Sequence, residues 1–294
     1  MQVKVEDFDS ADAALIRSTG FTFLRFGVWT DRLSDAAYKK RVTDAFALAR
    51  DAELPVLMTV RSTHATAMAR ADGLPRDAAL VQAGNEFGQA VATLVREHAS
   101  QLMAVEIWNE PDQPTFWPLG DVTATFGPYI QAACNQWRFV ATVPVLGFAF
   151  SRPPLPGSLQ DTLLRQAMNQ APGCIQAISY HAYGLSPEAI RDVGLDLRAR
   201  YGLAAVISEW GSPSITTSGG EAGQAAHVYR FLAALPGSGM PFASIYEWKD
   251  TMTGTSPRER NFGLVTSSGA AKPAVGAARD ALRLSGLVGG GAAQ

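Results

Sequence analysis

Short apolar runs alternate with longer amphipathic stretches from one end of the chain to the other. Seven runs are clear: 21–26 (FTFLRF), 55–60 (PVLMTV), 103–108 (MAVEIW), 143–148 (VPVLGF), 176–181 (QAISYH), 204–209 (AAVISE) and 242–248 (FASIYEW). Each has strand length and little alternation, the pattern of strands covered on both faces. An eighth and weaker run lies at 2–5. Between the runs, apolar residues recur at spacings of three and four over 38–52, 84–100, 185–201 and 221–235, which predicts helices. Strand and helix repeat about every 35 residues, as a βα ladder closing on itself requires. The pattern therefore predicts an α/β fold, a single (β/α)8 TIM barrel over 1–294 whose first strand is short or incomplete. A doubly wound sheet is the alternative, but no GxGxxG follows the first strand and no GxxxxGK[ST] occurs anywhere. Segments 151–157 (SRPPLPG) and 253–260 read as loops, and the Gly-rich 286–294 as a frayed end.

Composition narrows the function. At 294 residues, with 47% hydrophobic and 18% charged residues, the chain has the makeup of an ordinary folded enzyme. A formal net charge of -2 offers no basic surface for phosphates, so nucleic acid is excluded as a partner and a neutral polymer suits the balance better. No window approaches a membrane span, and MQVKVEDFDS lacks the apolar core of a leader. The compartment stays open, with secretion or the periplasm favoured over the cytoplasm if a leader has been removed. A monomer is expected. Cys134 and Cys174 fall in segments that read as separate elements; two buried thiols are expected, with one disulfide as the alternative.

In a barrel the site is built where strands end. Two glutamates stand at such ends, Glu110 in VEIWNEP and Glu209 in VISEWG, and their separation of 209 - 110 = 99 residues matches three βα units. Breaking a glycosidic bond needs a proton for the leaving oxygen and a carboxylate for the anomeric carbon. Two carboxyls roughly 5–5.5 Å apart supply both with retention. For this, Glu110 must be protonated while Glu209 is charged. Apolar Trp108 and Trp117 and the charge of Glu209 are expected to favour the first state, and Arg25 and Tyr183 the second.

With WNEP and SEWG on these strands, the chain resembles glycoside hydrolase clan A, the 4/7 superfamily, whose hallmark is Asn-Glu closing the fourth strand and Glu closing the seventh. The resemblance runs through nearly the whole chain. Within the clan it is similar to the cellulase-type family 5 and xylosidase-like family 39 enzymes, which these motifs do not separate. It implies a retaining β-glycosidase, endo-acting by preference, with Glu110 as acid/base and Glu209 as nucleophile. It also implies that Asn109 binds the 2-hydroxyl of the sugar being cleaved and that Arg25 (FLRF) holds the nucleophile ionised, unless Arg25 instead pairs with a buried Glu106. His181 and Tyr183 (SYHAY) would line the site, with Tyr183 donating to Glu209, and Trp248 (IYEWK) would form the floor. Because the first strand is short, any contact the family places there has no counterpart.

Trp29, Trp108, Trp117, Trp210 and Trp248 all fall at or just after strand ends, where indole faces could stack on sugar rings, although packing alone would also account for them. Glu247 competes between a substrate contact and packing, and His64 could reach the site from the third strand. Glu106, four residues deeper than Glu110, is expected to be structural. Glu86, His98 and His227 sit in helical patterns and are expected on the surface. With no HExxH, no HxH on a strand and no acidic cluster, no metal or cofactor is expected, and no GxSxG elbow supports a serine hydrolase. Two other readings stay open: a carbohydrate-binding barrel without turnover, and a transglycosylase.

Overall fold

The computed structural model describes residues 1–62 and 76–285. Among these, seven strands form one all-parallel sheet in strict chain order: β1 (Leu24–Trp29), β2 (Val56–Arg61), β3 (Leu102–Ile107), β4 (Val145–Phe150), β5 (Ala177–His181), β6 (Ala204–Trp210) and β7 (Ala243–Ile245). Helices alternate with them: α1 (Ser10–Thr19), α2 (Ala36–Asp51), α3 (Arg76–His98), α4 (Val122–Trp137), α5 (Leu159–Gln170), α6 (Pro187–Tyr201), α7 (Gly220–Ala234), the single turn α8 (Pro257–Arg260) and α9 (Pro273–Leu284). Thus 253–260, read as loop from sequence, contains one helical turn; Ser256 caps it and Pro257 opens it. The Gly-rich 286–294 lies outside the described residues.

The run at 2–5 does not become a strand. Gln2 makes one parallel bridge to Arg25. Its N–H donates to Ile245 O, its carbonyl accepts from Trp248, and Val3 donates to Arg25 O, each at 2.9 Å. The segment is therefore hydrogen-bonded to both outer edges of the sheet, β1 on one side and the chain around β7 on the other.

Helix starts follow local chemistry. Asp9, Asp35, Asp121, Ser158 and Ser186 each cap the helix that follows by accepting from its first free N–H groups. The core then divides by strand parity. Leu24, Phe26, Val56, Met58, Val105 and Ile107 join the large cluster that also holds buried residues of the helices. Phe23, Leu57, Ala104, Leu146, Ala177 and Val206 form a second, separate cluster on the opposite face of the sheet. Two residues further along the same strands, that inner face turns polar: Arg25, Thr59, Glu106, Ser179 and Ser208 are all buried. Apolar closure below and polar groups above set the floor of the site.

Cys134 on α4 and Cys174 after α5 form a disulfide with Cα atoms 5.8 Å apart, which corrects the expectation of two thiols. Sequence spacing gave no hint, because α4 and α5 are separate elements that packing brings side by side. The bridge closes a 40-residue loop. Closing it removes about 4 kcal/mol of chain entropy from the unfolded state. Reduction, or the paired change Cys134→Ala with Cys174→Ala, is expected to lower unfolding free energy by about that amount without moving the sheet. Urea denaturation with and without reductant measures this, and coincident curves would remove the bridge from the stability of the protein.

Candidate active site

A cavity of ≈ 1390 Å³ opens where the strands end, lined from the loops after nearly every one of them. The segment after β3 carries Asn109 and Glu110, and β6 carries Glu209. Backbone geometry around Glu110 is unusual: Trp108 and Glu110 have φ of 72° and 53°. Left-handed backbone costs a non-glycine residue of order 1–3 kcal/mol and survives where surroundings enforce it. Here Trp108 N–H donates to Val60 O at 2.8 Å and Glu110 N–H to Ala149 O at 2.9 Å, pinning the turn to the strands on either side. The indole of Trp108 is buried and donates to Phe116 O at 3.0 Å. Asp112, also buried, accepts from Ser151 N–H at 2.9 Å and Gln160 Nε2 at 2.8 Å, tying this loop to the one after β4.

One oxygen each from Glu110 and Glu209 and one His181 ring nitrogen all lie within 4.8 Å of one another. Glu110 Oε1 is 2.8 Å from His181 Nδ1. Glu209 accepts from Tyr183 Oη at 2.8 Å and from Arg25 Nη1 at 3.0 Å. Arg25 is buried and does more than one job. Its Nε and Nη2 donate to Glu106 Oε2 at 3.0 and 2.8 Å, its Nη2 also donates to Asn109 Oδ1 at 2.7 Å, and Nη1 reaches Gln2 Oε1. Arg25 thus contacts both of the partners offered for it, Glu209 and Glu106.

Charge states follow from these contacts. Burial alone would push Glu106 up, but Arg25 and the hydroxyls of Ser179 and Thr59 more than cancel it and hold Glu106 below the usual carboxylate range. Burial works against a charged His181, yet the carboxylates of Glu209 and Glu110 outweigh it and raise its pKa. Tyr183 is pushed well above its ordinary value by burial and then by the charge of Glu209, so it stays a phenol and a donor.

The cavity is lined by Arg25, Trp29, Asn109, Glu110, His181, Tyr183 and Glu209, so seven of the expected site residues come together. Trp117, Trp210, Trp248 and Glu247 do not line it. Trp117 packs against Trp108 and donates to Thr125 Oγ1, and Trp210 stacks on Phe231 of α7. Trp248 is buried and donates to Asp12 Oδ1 at 2.9 Å. Glu247 is buried against Lys4 Nζ at 2.8 Å, where burial pushes its pKa up to about 7. The three tryptophans found partners on the helix side, and Glu247 found one in the N-terminal segment. His64 lies outside the described residues.

Glu86 is exposed, as expected. His98 is not free on the surface but stacks on Phe46 at 3.7 Å, and His227 bonds Ser212 Oγ at 2.9 Å. Sequence reasoning missed Tyr246, Phe262 and Arg61, which do line the cavity. Phe262 packs edge-on against both Tyr183 and Tyr246. A usable signal for Tyr246 was Gly211 in SEWG: a Cβ there would sit 2.0 Å from Tyr246 O, so the glycine marks where the chain after β7 presses on the segment just after β6.

No protein-family model and no curated protein sequence matches the chain. Solved structures do. A family 39 glycoside hydrolase from Bacteroides cellulosilyticus WH2 superposes with TM-score 0.74 at 19% identity over 96% of this chain and 62% of its own. The exo-β-1,4-mannosidase Op5Man5 from Opitutaceae bacterium strain TAV5 gives 0.70 at 18%, over 93% of this chain and 55% of its own. The GH53 catalytic domain of Ignisphaera aggregans gives 0.69 at 17%, over 93% and 88%. The chain thus spans about 62% and 55% of the first two. What this chain shares with all three is the fold, parallel strands alternating with helices.

Proposed function

We propose that the chain is a retaining glycoside hydrolase cleaving β-linked glycans by double displacement, with Glu209 as nucleophile and Glu110 as acid/base. The observation that carries this is the approach of the two carboxyls, with oxygens within 4.8 Å of each other across the mouth of one cavity. That separation suits direct attack on the anomeric carbon and leaves too little room for the intervening water that inversion requires. In the first step Glu209 Oε attacks the anomeric carbon while Glu110 gives its proton to the departing oxygen, leaving a glycosyl ester on Glu209. In the second, Glu110, now a carboxylate, takes a proton from water, whose oxygen displaces Glu209.

The surrounding groups fit these roles. Arg25 and Tyr183 place two donors on Glu209, so its charge is balanced before attack and after release. His181 orients the Glu110 carboxyl from its buried position. Asn109, held by Arg25, stands next to Glu110 for the 2-hydroxyl of the sugar between the carboxyls. The cavity exceeds the roughly 300–1,000 Å³ of small-molecule pockets, which favours an oligosaccharide and internal cleavage.

Glu209→Ala is expected to abolish turnover while leaving glycan binding intact, and azide with an activated aryl β-glycoside should restore activity and give the α-glycosyl azide. Binding without any such rescue would remove Glu209 as the nucleophile, and binding without turnover in the wild type would make this a carbohydrate-binding protein. Glu110→Ala should lose about 100-fold or more with poor leaving groups and much less with activated aryl glycosides; equal losses on both remove the acid role. Tyr183→Phe deletes one donor to Glu209 and is expected to lower kcat about tenfold, with KM and melting temperature nearly unchanged. A loss confined to KM would place Tyr183 in substrate binding instead.

A further inference from the structure

Five cations line the cavity: Lys4, Arg25, Arg61, Arg152 and Arg258. Three are spoken for. Lys4 pairs with Glu247, Arg25 with Glu106 and Glu209, and Arg258 with Glu259. Arg61 and Arg152 have no carboxylate within ion-pair reach among the described residues, and of these two only Arg61 is partly buried. Arg61 closes β2, opposite Trp29 in the strand register, and its guanidinium lies 3.5 Å from the centre of the Trp29 ring. Phe116 stands on it from further off, 5.4 Å from centre to guanidinium.

Stacking engages the face of a guanidinium and leaves its in-plane N–H groups as a fork of donors, the geometry that matches a carboxylate in two parallel hydrogen bonds. A half-buried cation with its face held and its edge unmatched has desolvation to recover from whatever it binds. Resting on the glycosidase reading, we propose that Arg61 is a specificity residue that takes a carboxylate carried by the glycan, so that the substrate is an acidic β-glycan. Two further facts support it. Burial first, and the neighbouring charge of Arg25 second, bring Arg61 down to about 10 against the opposing pull of Glu209 and Glu110, so it is still charged at neutral pH. And any acidic sugar entering here meets Glu110 and Glu209, so a cation beside that pair is what admits it. A net charge of -2 over the chain conceals this local excess.

The test uses β-glycans bearing uronic acid in the backbone or on branches, each beside a twin whose carboxyls have been reduced to primary alcohols, together with neutral β-glucan, mannan and xylan. Wild-type protein is expected to show kcat/KM at least about tenfold higher on the acidic member of one pair, and which pair responds identifies the source of the carboxylate. Arg61→Gln should lose at least about tenfold more on the acidic polymer than on its reduced twin, and Arg61→Lys should recover part of the preference because it keeps the charge without the fork. Melting curves establish that both variants fold; if Arg61→Gln does not, the wild-type ratio and Arg61→Lys decide. Equal cleavage of both twins, cleavage of neutral glycans alone, or equal losses on both twins in Arg61→Gln would each overturn the proposal and leave the hydrolase standing. Failure to cleave any β-glycan, acidic or neutral, would sink both.

Discussion

A single buried guanidinium organises this molecule's working end. Arg25 stands between two carboxylates, Glu106 beneath and Glu209 above, and also bonds Asn109 and Gln2. A buried cation with one carboxylate would leave either Glu209 or the polar layer beneath it without compensation, and a lone buried charge costs several kcal/mol. With two, Glu106 can stay fixed as the counterion while, in the mechanism proposed above, Glu209 becomes an ester and returns. Glu106, held ionised by Arg25, Thr59 and Ser179, is that fixed charge. Gln2, reaching Arg25 from the segment that touches both sheet edges, connects the same group to the completion of the fold.

The second constraint is steric. Glu110 leaves β3 through two left-handed residues held by bonds to Val60 and Ala149, so its carboxyl is aimed by backbone rather than by side-chain rotamer. Asp112 then fastens the loop to Ser151 and Gln160, and His181 holds the carboxyl from below. Pre-organisation of this kind fixes the Glu110 carboxyl before substrate arrives, which in the proposed mechanism is where much of the rate would come from.

How much of this could be read from the chain depends on what each feature rests upon. Strands covered on both faces announce themselves as apolar runs, and Glu110 and Glu209 stood out because polar residues closing such runs are unusual. Arg25, Asn109, His181 and Tyr183 came from the resemblance to clan A, not from any local pattern. The tryptophans misled because period two decides only which face a strand residue takes, and Trp117, Trp210 and Trp248 lie where regular alternation has ended. Arg61 was overlooked because an arginine ending a strand looks like ordinary solvation; that it has no ion pair among the described residues is visible only in three dimensions. The Cys134–Cys174 bond likewise depends on two helices meeting, which no local pattern encodes.

That bond also ties the molecule's durability to its surroundings. Both sulfurs are buried, Cys134 in the last turn of α4 and Cys174 just after α5. In an oxidising setting the staple is permanent. Where thiols are kept reduced the same polypeptide would assemble its catalytic mouth unchanged yet hold it with a thinner margin, so that the place where the chain resides governs how long it lasts rather than what it can do.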